Sequence, residues 1–404
     1  MDRREMKGVQ IAHSGRISET PKGWIVPSQS GKGSYLVYKE GEGTKCNCPD
    51  CEMRGTKCKH QWAVEYFIKE SMDEEGNKTV EKVVRVTYSQ NWTAYNKAQN
   101  KEIQLFDELL KDLAENAEDQ EQKIGRPRLS LKEGLFCSIQ KVYSQLSSRR
   151  AHTLYRNAKE REQINKAPSY NMVNKFLNRE DITPILNRLL ILSSLPLKSV
   201  ETNFAPDSSG FRTSQFNQYG VEKYGTNKEH KWVKAHILTG TKTNIIASAR
   251  ITEGDANDSP YFEPMVKEAH ESGFNIEEIE ADKGYLSRKN YDFADEIGAT
   301  AYIPFKSNAT SKSKGSRVWN KMYHYFMMNK EEFMEHYHQR SNVETTFMMV
   351  KTKFGDKLKS KNWIAQKNEL LYKLIAHNIV VVIHEMYELG ITPNFTVGDC
   401  VLSN

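Results

Sequence analysis

The chain has 404 residues, 38% hydrophobic and 10% aromatic, which is too long for one ordinary domain and too apolar for a disordered protein. Its formal net charge of +6 permits a polyanionic partner without requiring one. The richest apolar stretch, Leu370 to Ile383, is interrupted by Lys373, His377 and Asn378, so it reads as a buried helix and no membrane span is expected.

The opening MDRREMKG lacks the apolar core of a secretory signal, which makes the cytoplasm the expected compartment and reduced thiols the expected cysteine state. Residues 1–21 form an N-terminal extension. Two strand-like runs follow, GWIVPS and SYLVYK, bounded by Gly and Ser. Directly behind them lie Cys46, Cys48, Cys51, Cys58 and His60, and then Trp62, Ala63, Phe67 and Ile68 at helical spacing. Four thiols and a histidine so close together point to a metal rather than to disulfides. Zn²⁺ takes four N or S ligands in a tetrahedron, and Cys46, Cys48, Cys58 and His60 supply them as CxC…CxH. Cys51, three residues after Cys48, is an alternative to Cys46 or Cys48. With every corner filled by protein the site is structural, stabilising a domain too small for a large core. Ligand order and strand–strand–helix setting resemble the SWIM zinc finger, a ββα module over residues 22–70, and the resemblance implies docking to nucleic acid or protein.

No internal repeat is visible. Residues 71–124 read as a linker, within which Ile103, Phe106, Leu109, Leu110 and Leu113 form the apolar stripe of an acidic helix from about Lys101 to Gln122. Such a helix either bridges domains or pairs with a second copy. A break at KIGRPRLS opens an all-helical region, residues 125–198, beginning with the amphipathic set Leu135, Phe136, Ile139, Val142, Tyr143 and Leu146. Two features there suit DNA. Gly125 to Arg128, GRPR, has the form of a minor-groove hook. The segment Leu131 to Leu177, with Arg149, Arg150, Arg156 and Lys159, fits a helix-turn-helix as well as a plain basic face. Cys137 and Cys400 are isolated and read as packing residues.

From Glu201 the texture turns strand-like in ETNFAP, KWVKAHILTG and NIIASARITE, followed by a helix, the strand IEEIEA, a helix and the strand TAYIPF. This alternation predicts an α/β domain with a mixed sheet over 199–390. Two long helices, about Lys330 to Phe354 and Ala365 to Glu388, close it, and 391–404 is a C-terminal tail.

Asp207 follows ETNFAP and Asp282 ends IEEIEA, so both acids are expected at strand ends, where a sheet presents them together for a hard oxygen-seeking ion such as Mg²⁺ or Mn²⁺. Tyr337, Arg340, Glu344 and Lys351 are separated by three, four and seven positions, which on one helix places them within an arc of about 60°. An Arg340–Glu344 surface ion pair is the plain alternative. His236 and Asp258 are candidates to support the carboxylates, although a core histidine and a helix N-cap account for them equally well. Lys306, Lys312, Lys314, Arg317 and Lys321 form a basic run in a Ser-rich loop that suits a phosphate track.

The last three motifs, DSSGF, ADKGY and the Y-(2)-R-(3)-E-(6)-K spacing, resemble those of the insertion-sequence DDE transposases of bacteria and archaea, best over Phe204 to Lys351. The resemblance implies a ribonuclease-H-like mixed sheet flanked by helices, with Asp207, Asp282 and Glu344 as catalytic ligands of Mg²⁺ or Mn²⁺. It implies DNA or phosphate contacts from Tyr337, Arg340 and Lys351. The expected activity is metal-dependent cleavage at element ends and strand transfer into target DNA. The expected partners are double-stranded DNA and further copies of the chain, as a homodimer or larger, at the nucleoid. Some relatives insert an extra β-rich domain between the second aspartate and the glutamate; the 61 residues between Asp282 and Glu344 are already occupied by a helix, a strand and a loop. A metal-dependent nuclease of the same fold and a domesticated DNA-binding relic are the rival readings, the latter disfavoured by the complete triad.

Overall fold

The computed structural model describes residues 3–12, 17–20, 22–28, 33–40, 43–54, 57–70, 91–118, 128–213 and 232–395. Gly125 to Pro127 of the GRPR hook and Cys400 lie outside them. The chain divides into two units, Met1–Val84 and Arg85–Asn404.

In the first unit, α1 (Arg3–Ala12) precedes β1 (Ser18–Thr20), β2 (Gly23–Pro27), β3 (Ser34–Glu40) and β4 (Gly43–Cys46), followed by α2 (Pro49–Arg54) and α3 (Lys59–Glu70). The four strands form an antiparallel meander. The expected ββα module is therefore larger by two strands and two helices. The runs missed, SET and GTKC, are short and carry almost no apolar alternation, so periodicity cannot detect them. Trp24, Val26 and Val37 on the sheet meet Ile11 of α1 and Ala63 and Val64 of α3 in a small core.

The second unit opens with α4 (Trp92–Ala114), α5 (Leu131–Ser144), α6 (Ser148–Glu160), α7 (Tyr170–Leu177) and α8 (Thr183–Ser194). Then come β5 (Asn203–Phe211), β6 (Val233–Gly240), β7 (Ile246–Glu253), α9 (Phe262–Glu271), β8 (Glu278–Glu280), α10 (Arg288–Glu296) and β9 (Thr300–Tyr302). It closes with α11 (Arg317–Met328), α12 (Lys330–Tyr337), α13 (Ser341–Phe354) and α14 (Trp363–Glu388). The strand order is β7-β6-β5-β8-β9. β5, β6 and β7 pair antiparallel, while β8 and β9 add in parallel. This is the mixed, helix-flanked sheet expected of a ribonuclease-H-like domain.

Alternation along the strands separates two cores. Ala235 and Ile237 face the helices α4 to α8, α13 and α14, whereas Phe204, Leu238 and Ile279 face α9 to α11. Helix α14 runs through the first core, and Asn378, His377 and Lys373 find partners there, whereas the buried Tyr372 hydroxyl has none. Asn378 accepts from Ile246 N (2.9 Å) and donates to Ile246 O (2.8 Å) and Ser193 Oγ (2.9 Å), tying α14 to β7 and α8. His377 Nε2 lies 2.9 Å from Asn244 O, and Lys373 Nζ donates to Gly355 O and Lys357 O at 2.8 Å each.

Two expectations change here. The acidic helix begins at Trp92 rather than Lys101 and ends at Ala114, and Phe106, Leu109, Leu110 and Leu113 are buried against α5 and α14, so its stripe belongs to the main core. Only Ile103 of that stripe remains exposed. The helix expected from Lys330 to Phe354 is two helices, with a 3₁₀ turn over His338–Arg340 between them.

Candidate functional site

β5 is the middle strand of the sheet, and Asp207 is the fifth of its nine residues, opposite Ile237 of β6. Asp207 thus sits mid-strand, not at the strand end expected from ETNFAP, because the small residues Ser208, Ser209 and Gly210 continue the antiparallel ladder to Phe211. On its other side β5 pairs with β8 only at Asn203 and Phe204. Beyond that point the sheet splits, and Asp207 faces an opening. Asp282 lies just past the end of β8, before the 3₁₀ turn Lys283–Tyr285. Since Phe204 is level with Ile279, three residues on along both parallel strands come Asp207 and Asp282. Both aspartates therefore follow the last paired residues at the same end of the two parallel strands.

Glu344 stands in the first turn of α13, which packs against β5. Arg340, from the preceding 3₁₀ turn, spans the carboxylates: Nη2 is 3.3 Å from Asp207 Oδ2 and Nη1 is 3.1 Å from Glu344 Oε1. The plain ion pair read from the sequence is therefore present, with Asp207 added to it. Burial raises the Asp207 pKa, opposed by the Ser208 N–H and Arg340 and reinforced by Glu344 and Asp258. Tyr337 is half-buried, with its pKa raised by burial and by the field of Asp282, Glu344 and Asp207. Lys351 donates to Ser209 Oγ at 2.7 Å, and burial lowers its pKa. Asp207, Glu344 and Lys351 line one cleft of about 560 Å³ together with Met348 and Asp356. Asp282 reaches the group from the β8 side and does not line this cleft.

Two supporting groups emerge. Asp258 occupies an N-cap position but makes no cap hydrogen bond. It holds Lys234 Nζ at 2.7 Å and His236 Nδ1 at 3.2 Å instead. His236 is buried beside the Asp207 strand, opposite Ser208, and burial brings its pKa to about 4, against the pull of Asp258. Tyr285, which sequence reasoning passed over as part of ADKGY, is buried, and its hydroxyl has no hydrogen-bond partner. Burial together with Asp258, Asp207 and Asp282 raises its pKa. Its position one turn beyond Asp282 was the available signal.

The donor set fits a hard divalent cation. Two carboxylates, Asp207 and Glu344, share one guanidinium, an excess of negative charge, and the orphaned polar atoms Tyr285 Oη and Arg340 Nε suit ordered water. Among the described residues the three acids do not form a tight single-ion cage. A pair of ions about 3.5–4 Å apart does not need one.

In the first unit, Cys46 ends β4, Cys48 opens the turn into α2, and Cys58 and His60 stand at the start of α3. All four are buried, with one ligand atom from each lying within 4.8 Å of the others. His60 Nδ1 is 3.8 Å from Cys46 Sγ and 3.9 Å from Cys58 Sγ. The Cys58 thiol is pulled down by its hydrogen bond with Cys46, the partner being pushed up in turn, and a thiol ligates a metal as thiolate. Cys51 turns away, its Sγ 3.3 Å from Gln61 Oε1. The four predicted ligands assemble and the alternative does not.

Among the other predicted contacts, Arg149, Arg150, Arg156 and Lys159 are exposed on α6. Lys306, Lys312 and Lys314 are exposed on a loop, whereas Arg317 and Lys321 belong to α11. That loop is fixed by Arg288, which covers the Trp319 ring and donates to Ser313 O and Lys312 O.

Residues 198–379 match the transposase DDE domain family, and residues 35–69 match the SWIM zinc finger. Among solved structures, the chain is similar to a piggyBac transposase in a synaptic complex with hairpin DNA, at 10% identity over 78% of each chain and a TM-score of 0.34. The chain thus carries a transposase DDE domain over residues 198–379, with a SWIM zinc finger ahead of it in sequence.

Proposed function

We propose that Asp207, Asp282 and Glu344 are the catalytic carboxylates of an insertion-sequence transposase that cleaves phosphodiesters at the element ends and joins them to target DNA. The observation that supports this reading is the joining of Asp207 to Glu344 through Arg340, with Asp282 following β8 at the same end of the parallel strands. Asp207, Asp282 and Glu344 would hold the divalent ions, Asp207 as the shared ligand and the other two carboxylates one ion each. Bound Mg²⁺ or Mn²⁺ would supply an activated water or 3′-hydroxyl and a counter-charge for the leaving 3′-oxygen. Once its carboxylates take ions, Arg340 is free to turn toward the scissile phosphate, and Lys351 and Tyr337 contact the DNA beside it. Asp258, held by Lys234 and His236, fastens the loop after β7 to β6, the strand beside that of Asp207. Cys46, Cys48, Cys58 and His60 hold a structural Zn²⁺.

The partners are duplex element ends and target DNA. Assembly as a homodimer or larger follows from the need to hold two ends at once, and nucleoid association of a bacterial or archaeal protein follows from the substrate. The test is a cell-based mobility assay on a marker flanked by the element's inverted repeats, with intact protein or Asp207→Ala. Movement only with the intact chain supports the reading. Cleavage without joined product favours a nuclease, and neither with intact protein a DNA-binding relic.

A further inference from the structure

Behind the active-site helix lies a second groove, about 570 Å³ in volume, between α5 to α7 and the loop joining α13 to α14. Phe354, the last residue of α13, lines it. Its charged lining is Lys141, Lys357, Lys359, Lys361, Lys373 and Glu369, five ammonium groups against one carboxylate. That carboxylate is already committed. Glu369 accepts from Lys359 N at 2.8 Å and Ser360 N at 2.7 Å, so it anchors the loop's backbone. The ammonium groups of Lys141 and Lys373 are also engaged with protein oxygens, on Asn174 and on the Gly355 and Lys357 carbonyls. These oxygens belong to neutral groups and leave the positive charge of the groove uncompensated. Burial lowers the pKa of Lys141 and brings that of Lys373 to about 8, with Lys359 adding repulsion to both and Glu369 opposing it. The same wall continues onto α6, whose Ser148 lines the groove and whose next two residues are the exposed Arg149 and Arg150.

A crowd of cations fixed to rigid backbone and outnumbering the one carboxylate among them is the surface a phosphodiester ridge requires. We infer that this groove is a sequence-independent docking site for one strand of duplex DNA, holding the segment that flanks the bond being cut. The inference rests on the transposase reading and adds a path for the DNA. Glu344 and Phe354 are ten residues apart on α13, so at ~1.5 Å per residue the groove begins about 15 Å from the catalytic carboxylate. At about 3.4 Å per base pair that is roughly four to five base pairs from the cut. A duplex lying along α13 would meet Lys351 first and the lysine groove next. None of the groove's cations reaches a base-reading position by itself, so the contribution is to affinity and register rather than to recognition of sequence.

The test is binding of the full chain to a fluorescent duplex of about 40 base pairs and arbitrary sequence, without divalent ions, over a range of salt concentrations. Lys359→Gln with Lys361→Gln, both at exposed positions of the loop, is compared with Lys267→Gln with Lys289→Gln, which removes equal charge from α9 and α10. The groove pair is expected to weaken binding about tenfold for any sequence and to reduce the slope of log K against log salt by about 1 to 2, roughly 0.9 per lost phosphate contact. The control pair is expected to bind as the intact chain does. Equal binding by the groove pair, or equal loss in both pairs, overturns the groove while leaving the transposase reading intact. Failure of the intact chain to bind any duplex overturns the DNA reading itself. If the groove pair lowers the melting temperature, Lys361→Glu alone repeats the comparison at an exposed position, with the same two outcomes decisive.

Discussion

Among single residues, Asp207 and Glu280 show two opposite uses of a carboxylate in one sheet. Asp207 faces a cleft and a guanidinium, and its charge is needed. Asp207→Asn keeps the size of the side chain and removes the charge, so it is expected to abolish cleavage while leaving duplex binding within about twofold, since backbone phosphate contacts supply most of the affinity; a gel assay of cleavage beside an anisotropy titration checks both. Asp258→Asn, one layer out, is expected to cost about 10–100-fold in activity, as is usual for groups that orient metal ligands. Glu280 is buried, and its oxygens find no partner outside their own residue. Burial first, then Glu278 and Glu201, raises its pKa well above the ordinary value, so the folded protein keeps this proton. The unfolded chain releases it near pH ~4.3. Above that pH the unfolded state binds fewer protons than the folded one, and stability falls as pH rises toward the raised folded-state value. Glu280→Gln removes the penalty. Its melting temperature is expected to exceed that of the parent by more at pH 8 than at pH 5, and an equal change at both would refute the protonated state.

At the level of elements, packing is close where α5 crosses α7. A Cβ on Gly134 would lie 2.4 Å from Phe176 Cε2 and 2.6 Å from Cζ, and both residues belong to the buried helical core. Gly134→Ala is therefore expected to destabilise the fold by about 1–3 kcal/mol, despite the better helix propensity of alanine, and Phe176→Leu in the same chain should restore part of it. Denaturant titration of the three variants measures this. Sequence gave no warning of that crossing, because a glycine inside a helical pattern looks the same whether it faces a ring or water. The strands β5 to β9 were legible because each is bounded by turn residues and contributes apolar residues to the buried cores. The mid-strand place of Asp207 was hidden by the polar run that follows it, which reads as a loop unless its antiparallel partner is known. The break at His338–Arg340 was hidden for a different reason. A 3₁₀ turn winds at 3.0 residues per turn, so three residues of it shift the helical phase by only about 60°. Arg340 and Glu344 still meet across it, and their motif survives while the single helix does not. The metal knuckle was the most legible site, since CxC and CxH each fix two ligands through local backbone alone.

For the whole molecule, the two units differ in what holds them folded. The second has two apolar cores, one on each face of a five-stranded sheet, and a central helix whose Asn378, His377 and Lys373 are hydrogen-bonded within the core. The first has a single small core, and three of its buried members are the cysteines themselves. Without an ion, Cys46, Cys48 and Cys58 would crowd three thiols around one imidazole, with His60 Nε2 buried and lacking a partner. The free energy of binding a metal there is then largely the free energy of folding the unit. Stripping the metal with a strong chelator at neutral pH is expected to unfold Met1–Val84 while the main transition of Arg85–Asn404 stays within about 2 °C, because the ions of the carboxylate site contribute little to a domain with so large a core. His60→Ala should reproduce the effect with no chelator present. Limited proteolysis reads the outcome directly: cleavage should spread through the first 84 residues, and a fragment beginning near Arg85 should persist. A chain that becomes digestible throughout, or one that resists as before, would show instead that the two units share their stability or that the knuckle folds without metal.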